Sequence, residues 1–189
     1  MSTDVAAAGK AAAGNGAVSS QTVTIRPVRP EDAATIANLV YELAVYEKLE
    51  RFAQATPDDF RRHLFGPRPV AEAMVAEIDG AAVGFALWFT TFSTFRGRPG
   101  LYLEDVYVRP QFRGQGIGKA LLANVARLAR ERGCARLEWS VLNWNTPAIG
   151  FYRSLGARPM DEWTVYRIAD RPLEELAALA RTECLAPND

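Results

Sequence analysis

The run LYLEDVYVRPQFRGQGIGKALL, from Leu101 to Leu122, constrains the architecture of this chain more than any other stretch. It reads as a strand, a short connection, a glycine-rich turn and the start of a helix. Arg113, Gly114, Gln115, Gly116, Ile117, Gly118 and Lys119 lead directly into the helical pattern. Unpaired backbone N–H groups and the positive end of the helix dipole therefore face the same point, an arrangement that receives an anion.

The strand carries a second signal. Leu101 and Leu103 are apolar at odd positions, whereas Val106 and Val108 are apolar at even ones. Side chains on a strand repeat every two residues, so a one-residue slip of the apolar phase predicts a β-bulge, here on the acidic pair Glu104 and Asp105. The expected result is a carboxylate turned into the gap beside the anion site.

Other phosphate-binding turns do not match. A P-loop needs four residues between its glycines and a Ser or Thr after the lysine; Gly114 and Gly118 flank three, and Ala120 follows Lys119. In a dinucleotide fingerprint Glu138 stands near the place of the ribose-binding acid. Lys119, however, replaces the third glycine, and Arg109 to Phe112 separate strand from turn.

Arg113, Gly116 and Gly118 also match the Arg/Gln-x-x-Gly-x-Gly/Ala turn of the GNAT superfamily of acetyl-CoA-dependent N-acetyltransferases, which the chain resembles. The resemblance is nearest to the diamine (spermidine/spermine) N-acetyltransferases and their thialysine- and ornithine-acetylating relatives. It runs from Thr24 to about Ile168, through IRP at Ile25, ELAVYE at Glu42, LYLEDVYV at Leu101, FRGQGIG at Phe112, WNTPAIGFYRSLGA at Trp144 and EW at Glu162.

That likeness implies a coenzyme whose pantetheine arm pairs with the backbone of Val106, Tyr107 and Val108. The turn from Arg113 to Lys119 would take the pyrophosphate, and Asn145 would flank the arm. It further implies that Tyr46 and Glu47 hold substrate, that Tyr152 is the acid facing the coenzyme sulfur, and that the enzyme is a homodimer. Asn143 departs from the pattern, because the diamine-acetylating relatives usually carry an acid there.

The 22 basic and 22 acidic side chains cancel, so no global field draws the chain to nucleic acid or to anionic lipid. No stretch approaches a membrane span, and no export signal is visible, which gives a cytoplasmic expectation. Cys134 and Cys184 are too few for a disulfide framework. Residues 1–20 are Ala-, Gly- and Ser-rich and are expected to form a disordered tail, leaving residues 21–189 as a single domain. A lone histidine, His63 beside Arg61 and Arg62, makes a metal site or a Ser-His-Asp triad implausible.

Elsewhere the pattern is local and direct. Thr22 to Arg26 reads as a strand stopped by Pro27, and Ile36, Leu39, Val40, Leu43 and Tyr46 mark one face of a helix opened by Pro30. Thr56 and Pro57 start a short helix through Leu64. Met74 to Ile78 and Ala82 to Thr91 form a hairpin about Asp79 and Gly80, followed by a loop from Thr94 to Gly100. After the turn, Ile117, Leu121, Val125 and Leu128 form a helix face ended by Gly133. A strand from Leu137 to Val141, a brief helix carrying Phe151 and Tyr152, a last strand from Trp163 to Ile168 and a helix from Leu173 to Ala180 complete the order. The expected fold is a mixed α/β domain whose central, mostly antiparallel sheet splays between the Leu101 and Leu137 strands.

Acetyl transfer to an amine needs a neutral nucleophile, and a lysine-like amine with a pKa near ~10.4 is only about 0.1% neutral at pH 7.4. Glu104 is the expected general base, acting through water, with Asp105 the next candidate and both lining the substrate mouth. Direct attack needs no acyl-enzyme, so neither Cys134 nor Ser140 is a nucleophile and no metal is required. The expected substrate is a polyamine or a lysine- or ornithine-like amino acid. A protein-lysine acetyltransferase and a weakly catalytic acyl-CoA sensor are the alternatives.

Overall fold

The computed structural model describes residues 22–180; the expected tail 1–20 and Cys184 lie outside them. The chain divides into two compact units, one ending at Ser140 and the other beginning at Val141.

The first unit is built on five strands in sequence order: β1 (Val23–Pro27), β2 (Glu72–Ile78), β3 (Ala81–Ser93), β4 (Arg98–Val108) and β5 (Leu137–Trp139). Neighbours from β1 to β4 are antiparallel, and β5 runs parallel to β4. With helices against it, this is the mixed, mostly antiparallel α/β sheet that the sequence predicts. The turn between β2 and β3 has positive φ at Asp79 (51°) and Gly80 (79°), the backbone that a two-residue hairpin with the native twist requires. β3 and β4 run further than expected, leaving only residues 94–97 as their connection.

The bulge lies where the apolar phase slips. Leu87 opposes Asp105 and Trp88 opposes Leu103, so Glu104 is the extra residue on β4. Cross-strand partners share a face. Asp105 and Tyr107 therefore share a face with Leu87 and Phe85, while Leu103 and Trp88 occupy the other.

Each face is covered by a helix. After a 3-10 turn at Pro30–Asp32, α1 (Ala33–Glu47) buries Ile36 and Leu39 completely, in a cluster with Val75, Phe85, Leu87 and Tyr107. α2 (Pro57–Phe65) adds Leu64 to the same cluster. Its start is held by reciprocal bonds between Thr56 and Asp59: the Asp59 N–H donates to Thr56 Oγ1 at 3.3 Å, and the Thr56 N–H to Asp59 Oδ2 at 2.9 Å. α3 (Ile117–Glu131) buries Ile117, Leu121 and Val125, each worth roughly 1.5–3 kcal/mol of transfer free energy before entropic costs. An ion-pair junction locks the edge of the sheet, where Arg26 donates to Asp32 at 2.7 and 3.0 Å and to Glu77 at 2.7 and 3.1 Å.

The second unit contains α4 (Thr146–Ser154) and α5 (Asp170–Ala177). Two expectations are corrected. β5 ends at Trp139 instead of reaching Val141, and residues 163–168 are not a strand. Trp163, Val165 and Tyr166 are 69%, 83% and 91% exposed. Their apolar alternation supplies a strand-like pattern, but a strand exists only through a hydrogen-bonded neighbour, and none pairs with this segment among the described residues. The last helix also starts and ends earlier than expected.

Candidate active site

The turn after β4 has the geometry of an anion cradle. A 3-10 turn at Pro110–Phe112 delivers the chain to Gly114 and Gly116, whose φ values of 77° and 80° side chains rarely adopt. A Cβ added at either would meet nothing within 4 Å, so open space lies beside both. Gly116 is the N-cap of α3 and provides no side-chain cap. The N–H groups of Ile117, Gly118 and Lys119 therefore lie in the first turn of α3, ahead of the regular ladder, and with the helix dipole they suit a phosphate or pyrophosphate.

A second opening adjoins it along β4. The parallel ladder pairs Leu101, Tyr102 and Leu103 with Leu137, Glu138 and Trp139 and stops there. Tyr102 and Ser140 close this joint through their hydroxyls at 2.6 Å. Beyond it, Val106, Tyr107 and Val108 have no ladder partner on that side among the described residues. An extended chain of amides can add to such an edge as a strand would. Cradle and edge together fit the two chemical parts of a pantetheine–pyrophosphate coenzyme.

At the bulge the acids separate by environment. Glu104 is exposed, whereas Asp105 is half-buried beneath it. Burial first, and then the charges of Glu104 and Glu47, push the Asp105 carboxyl up to about 7. Glu47, in the last turn of α1, is itself raised by desolvation. Among the described residues no ion pair engages Glu47, Glu104 or Asp105. An Asp105 carboxyl burdened by burial and by the charges of two other acids, with no cation paired to any of them among the described residues, suits a cationic ligand. No group of three His, Cys, Asp or Glu residues able to hold a metal occurs among the described residues. His63 is exposed on α2.

Two contacts that the sequence did not reveal attach α1 to this site. Arg109 grips the Glu42 carboxylate with Nε at 2.9 and 3.1 Å and Nη2 at 2.7 Å, and its Nη1 donates to the Ala82 carbonyl at 2.9 Å. Arg113 donates Nε–H to the Val108 carbonyl at 2.8 Å. Its guanidinium lies 4.4 Å from the centre of the Tyr46 ring and 5.6 Å from that of Tyr107. The spacing held a clue: Glu42 and Tyr46 are one helical turn apart, and Arg109 and Arg113 repeat that interval.

In the second unit, Asn145 is buried and caps α4, its Oδ1 accepting from the Ala148 N–H at 3.3 Å. Pro147 fills the first turn, where its missing N–H costs nothing. Tyr152 lies in the body of α4 beside Phe151, ring centres 5.4 Å apart, and is half-buried.

Comparison with known proteins agrees with this chemistry. Residues 37–157 match the family model described as the acetyltransferase (GNAT) family. The chain is 38% identical over 166 residues to the thialysine N-epsilon-acetyltransferase of Bos taurus, covering 82% of this chain and 97% of that protein. It is 28% identical over 200 residues to the L-ornithine N5-acetyltransferase NATA1 of Arabidopsis thaliana, covering 82% and 88%. Among solved structures, the integron cassette protein VCH_CASS6 from the mobile metagenome of V. cholerae superposes with a TM-score of 0.70 at 27% identity, covering 82% of this chain and 97% of that one. With the mixed five-stranded sheet, the glycine turn and a family match across most of the folded chain, the protein belongs to the acetyltransferase (GNAT) family.

Proposed function

We propose that this acetyltransferase uses acetyl-CoA to acetylate the side-chain amine of a small cationic amino acid of the thialysine or ornithine kind, or the primary amine of a polyamine. The observation that carries the substrate class is the group of acids Glu47, Glu104 and Asp105, without an ion-pair partner among the described residues, with Glu104 and Asp105 directly preceding the unpaired β4 edge at Val106. The named relatives point the same way.

When bound, acetyl-CoA supplies the activated acetyl thioester. Val106, Tyr107 and Val108 orient its pantetheine arm by backbone pairing, Arg113 to Lys119 hold the pyrophosphate, and Asn145 flanks the arm. Tyr46 and Glu47 hold the ammonium end of the substrate. Glu104 removes the proton through water, because its exposed carboxylate reaches solvent. Asp105 is the second candidate, favoured by a carboxyl raised to about 7, close to the operating pH at which a general base works best. Tyr152 donates to the departing sulfur. Its support is its place in the WNTPAIGFYRSLGA segment. No step calls for a metal, and the setting we propose is cytoplasmic. No described helix is long and apolar enough to cross a membrane. A homodimer is proposed as well, in which a second copy covers the exposed Trp163, Val165 and Tyr166.

The test is calorimetry with CoA, NAD and ATP, followed by turnover of thialysine, ornithine, spermidine and a lysine-containing peptide. CoA should bind most tightly and a free amine should turn over fastest. CoA binding without turnover of any amine would leave a sensor; turnover of the peptide alone would leave a protein-lysine acetyltransferase. Light scattering that gives a monomer at micromolar concentration would remove the dimer.

A further inference from the structure

The guanidinium of Arg113 belongs to two places at once. By sequence it is the first residue of the anion cradle, one position before Gly114. In space it packs over Tyr46, the penultimate residue of α1, and donates to the Val108 carbonyl at the end of β4. Glu47, the next residue on α1, is close enough to Asp105 for their charges to interact. A series of neighbours therefore joins the glycine turn to the acids: Gly114 and Arg113 in sequence, Arg113 on the Tyr46 ring, Glu47 next to Tyr46, and Asp105 within electrostatic reach of Glu47.

The middle of that series lies at the C-terminal end of α1. Tyr46 and Glu47 occupy the last turn of α1, which is closed by the Leu49 N–H donating to the Ala44 carbonyl at 2.8 Å and the Lys48 N–H to the Val45 carbonyl at 3.1 Å. The helix ends on Lys48 at φ 62°, a left-handed conformation that a residue with a side chain adopts at some cost. One turn earlier, Glu42 is anchored by Arg109 through both carboxylate oxygens. Tyr46 packs its ring against the core cluster on one side and under the Arg113 guanidinium on the other, so the position of Arg113 bears on the orientation of Tyr46 and, through it, of Glu47. That contact in turn depends on where the turn places Arg113.

We infer that Arg113 is a positioning residue that couples the two substrate sites, so that ordering of the glycine turn by the coenzyme pyrophosphate fixes Tyr46 and Glu47 and tightens the hold on the amine. This rests on the acetyltransferase reading above. Linkage makes the effect reciprocal: whatever factor CoA applies to the amine, the amine applies to CoA. A cation–ring contact between an exposed guanidinium and a half-buried ring sets the expected size at about fivefold.

The measurement is calorimetric binding of thialysine and of spermidine to the full chain, each with and without saturating CoA. In the parent, CoA should tighten at least one of these amines by about fivefold. Arg113→Met, which keeps the apolar stem but loses the planar cation, should reduce that factor below about twofold, and Tyr46→Leu should do the same. Tyr46→Phe keeps the ring face and should retain the parent's factor. A merely structural role would weaken both ligands without changing their coupling. The inference is overturned if the parent shows no coupling, or if Tyr46→Leu couples as strongly as Tyr46→Phe, a comparison that holds even where Arg113→Met does not fold. Failure of the acetyltransferase reading is a different result, seen as absence of CoA binding before any amine is added.

Discussion

Two sets of carboxylates in the first unit share a residue type and differ in almost everything else. At the sheet edge Asp32 and Glu77 converge on Arg26, and the Arg26 hydrogen bond holds the Asp32 carboxyl below its usual range. At the bulge Asp105 lies within electrostatic reach of Glu104 and of Glu47 on α1, and it is pushed up to about 7, by burial first and then by their charges. The first arrangement is complete within the chain. In the second, burial and the neighbouring charges disfavour the ionised form of Asp105, which suits the cation-binding role proposed for this group. Paired acids hold a fold together, and acids left facing one another mark where a ligand is expected.

The largest test of this contrast is catalytic. Glu104→Gln should lower turnover ~10²–10⁴-fold at neutral pH and less at alkaline pH, where more amine is already neutral. If instead Asp105→Asn gives the greater loss and removes a rise of kcat/KM through about pH 7, the buried acid is the base. Tyr152→Phe should lower turnover at the low end of the same range with coenzyme affinity unchanged. A variant working at the parent rate would remove Tyr152 from the chemistry.

Stability should separate the two sets as well. Arg26→Met leaves Asp32 and Glu77 without their cation at a half-buried site and should cost on the order of 2 kcal/mol in urea unfolding, with kcat unchanged. Loss of turnover in the folded variant would blur the division between the two sets.

Asp105→Asn should go the other way. The folded-state pKa is about 7, above the ~3.9 of an unfolded aspartate, so ionisation penalises the folded protein increasingly from about pH 4 to pH 7 and fully above that. The asparagine variant should therefore be more stable than the parent at pH 8, by on the order of 1–2 kcal/mol after allowance for partial exposure, and no more stable at pH 4. A gain independent of pH would mean that the charge is not its cause. Least of all should come from Arg61→Ala, which breaks an exposed pair with Asp58 and should change stability by less than about 0.5 kcal/mol.

How much of this could be read beforehand follows the reach of each signal. The phosphate turn, the capping of α2 and α4, the hairpin at Asp79 and Gly80 and the bulge at Glu104 are written in residues a few positions apart. Backbone sterics, helix ends and the two-residue period of a strand act over that distance. Residues 163–168 failed as a strand for the same reason. Their alternation was legible, but the neighbour that would make them a strand is a long-range matter, as was the early end of β5.

By itself, then, the sequence determined the local devices: where helices start, where the chain turns, where the bulge falls, and that a glycine-rich turn opens α3. Tertiary structure alone decided which side chains meet across the sheet. α1 brings Glu47 within electrostatic reach of Asp105, Arg109 takes Glu42, and Arg113 turns its guanidinium onto Tyr46. The physical reason is that a pKa or a ring contact depends on distances through space, and those are set by how α1 packs its buried face on β3 and β4.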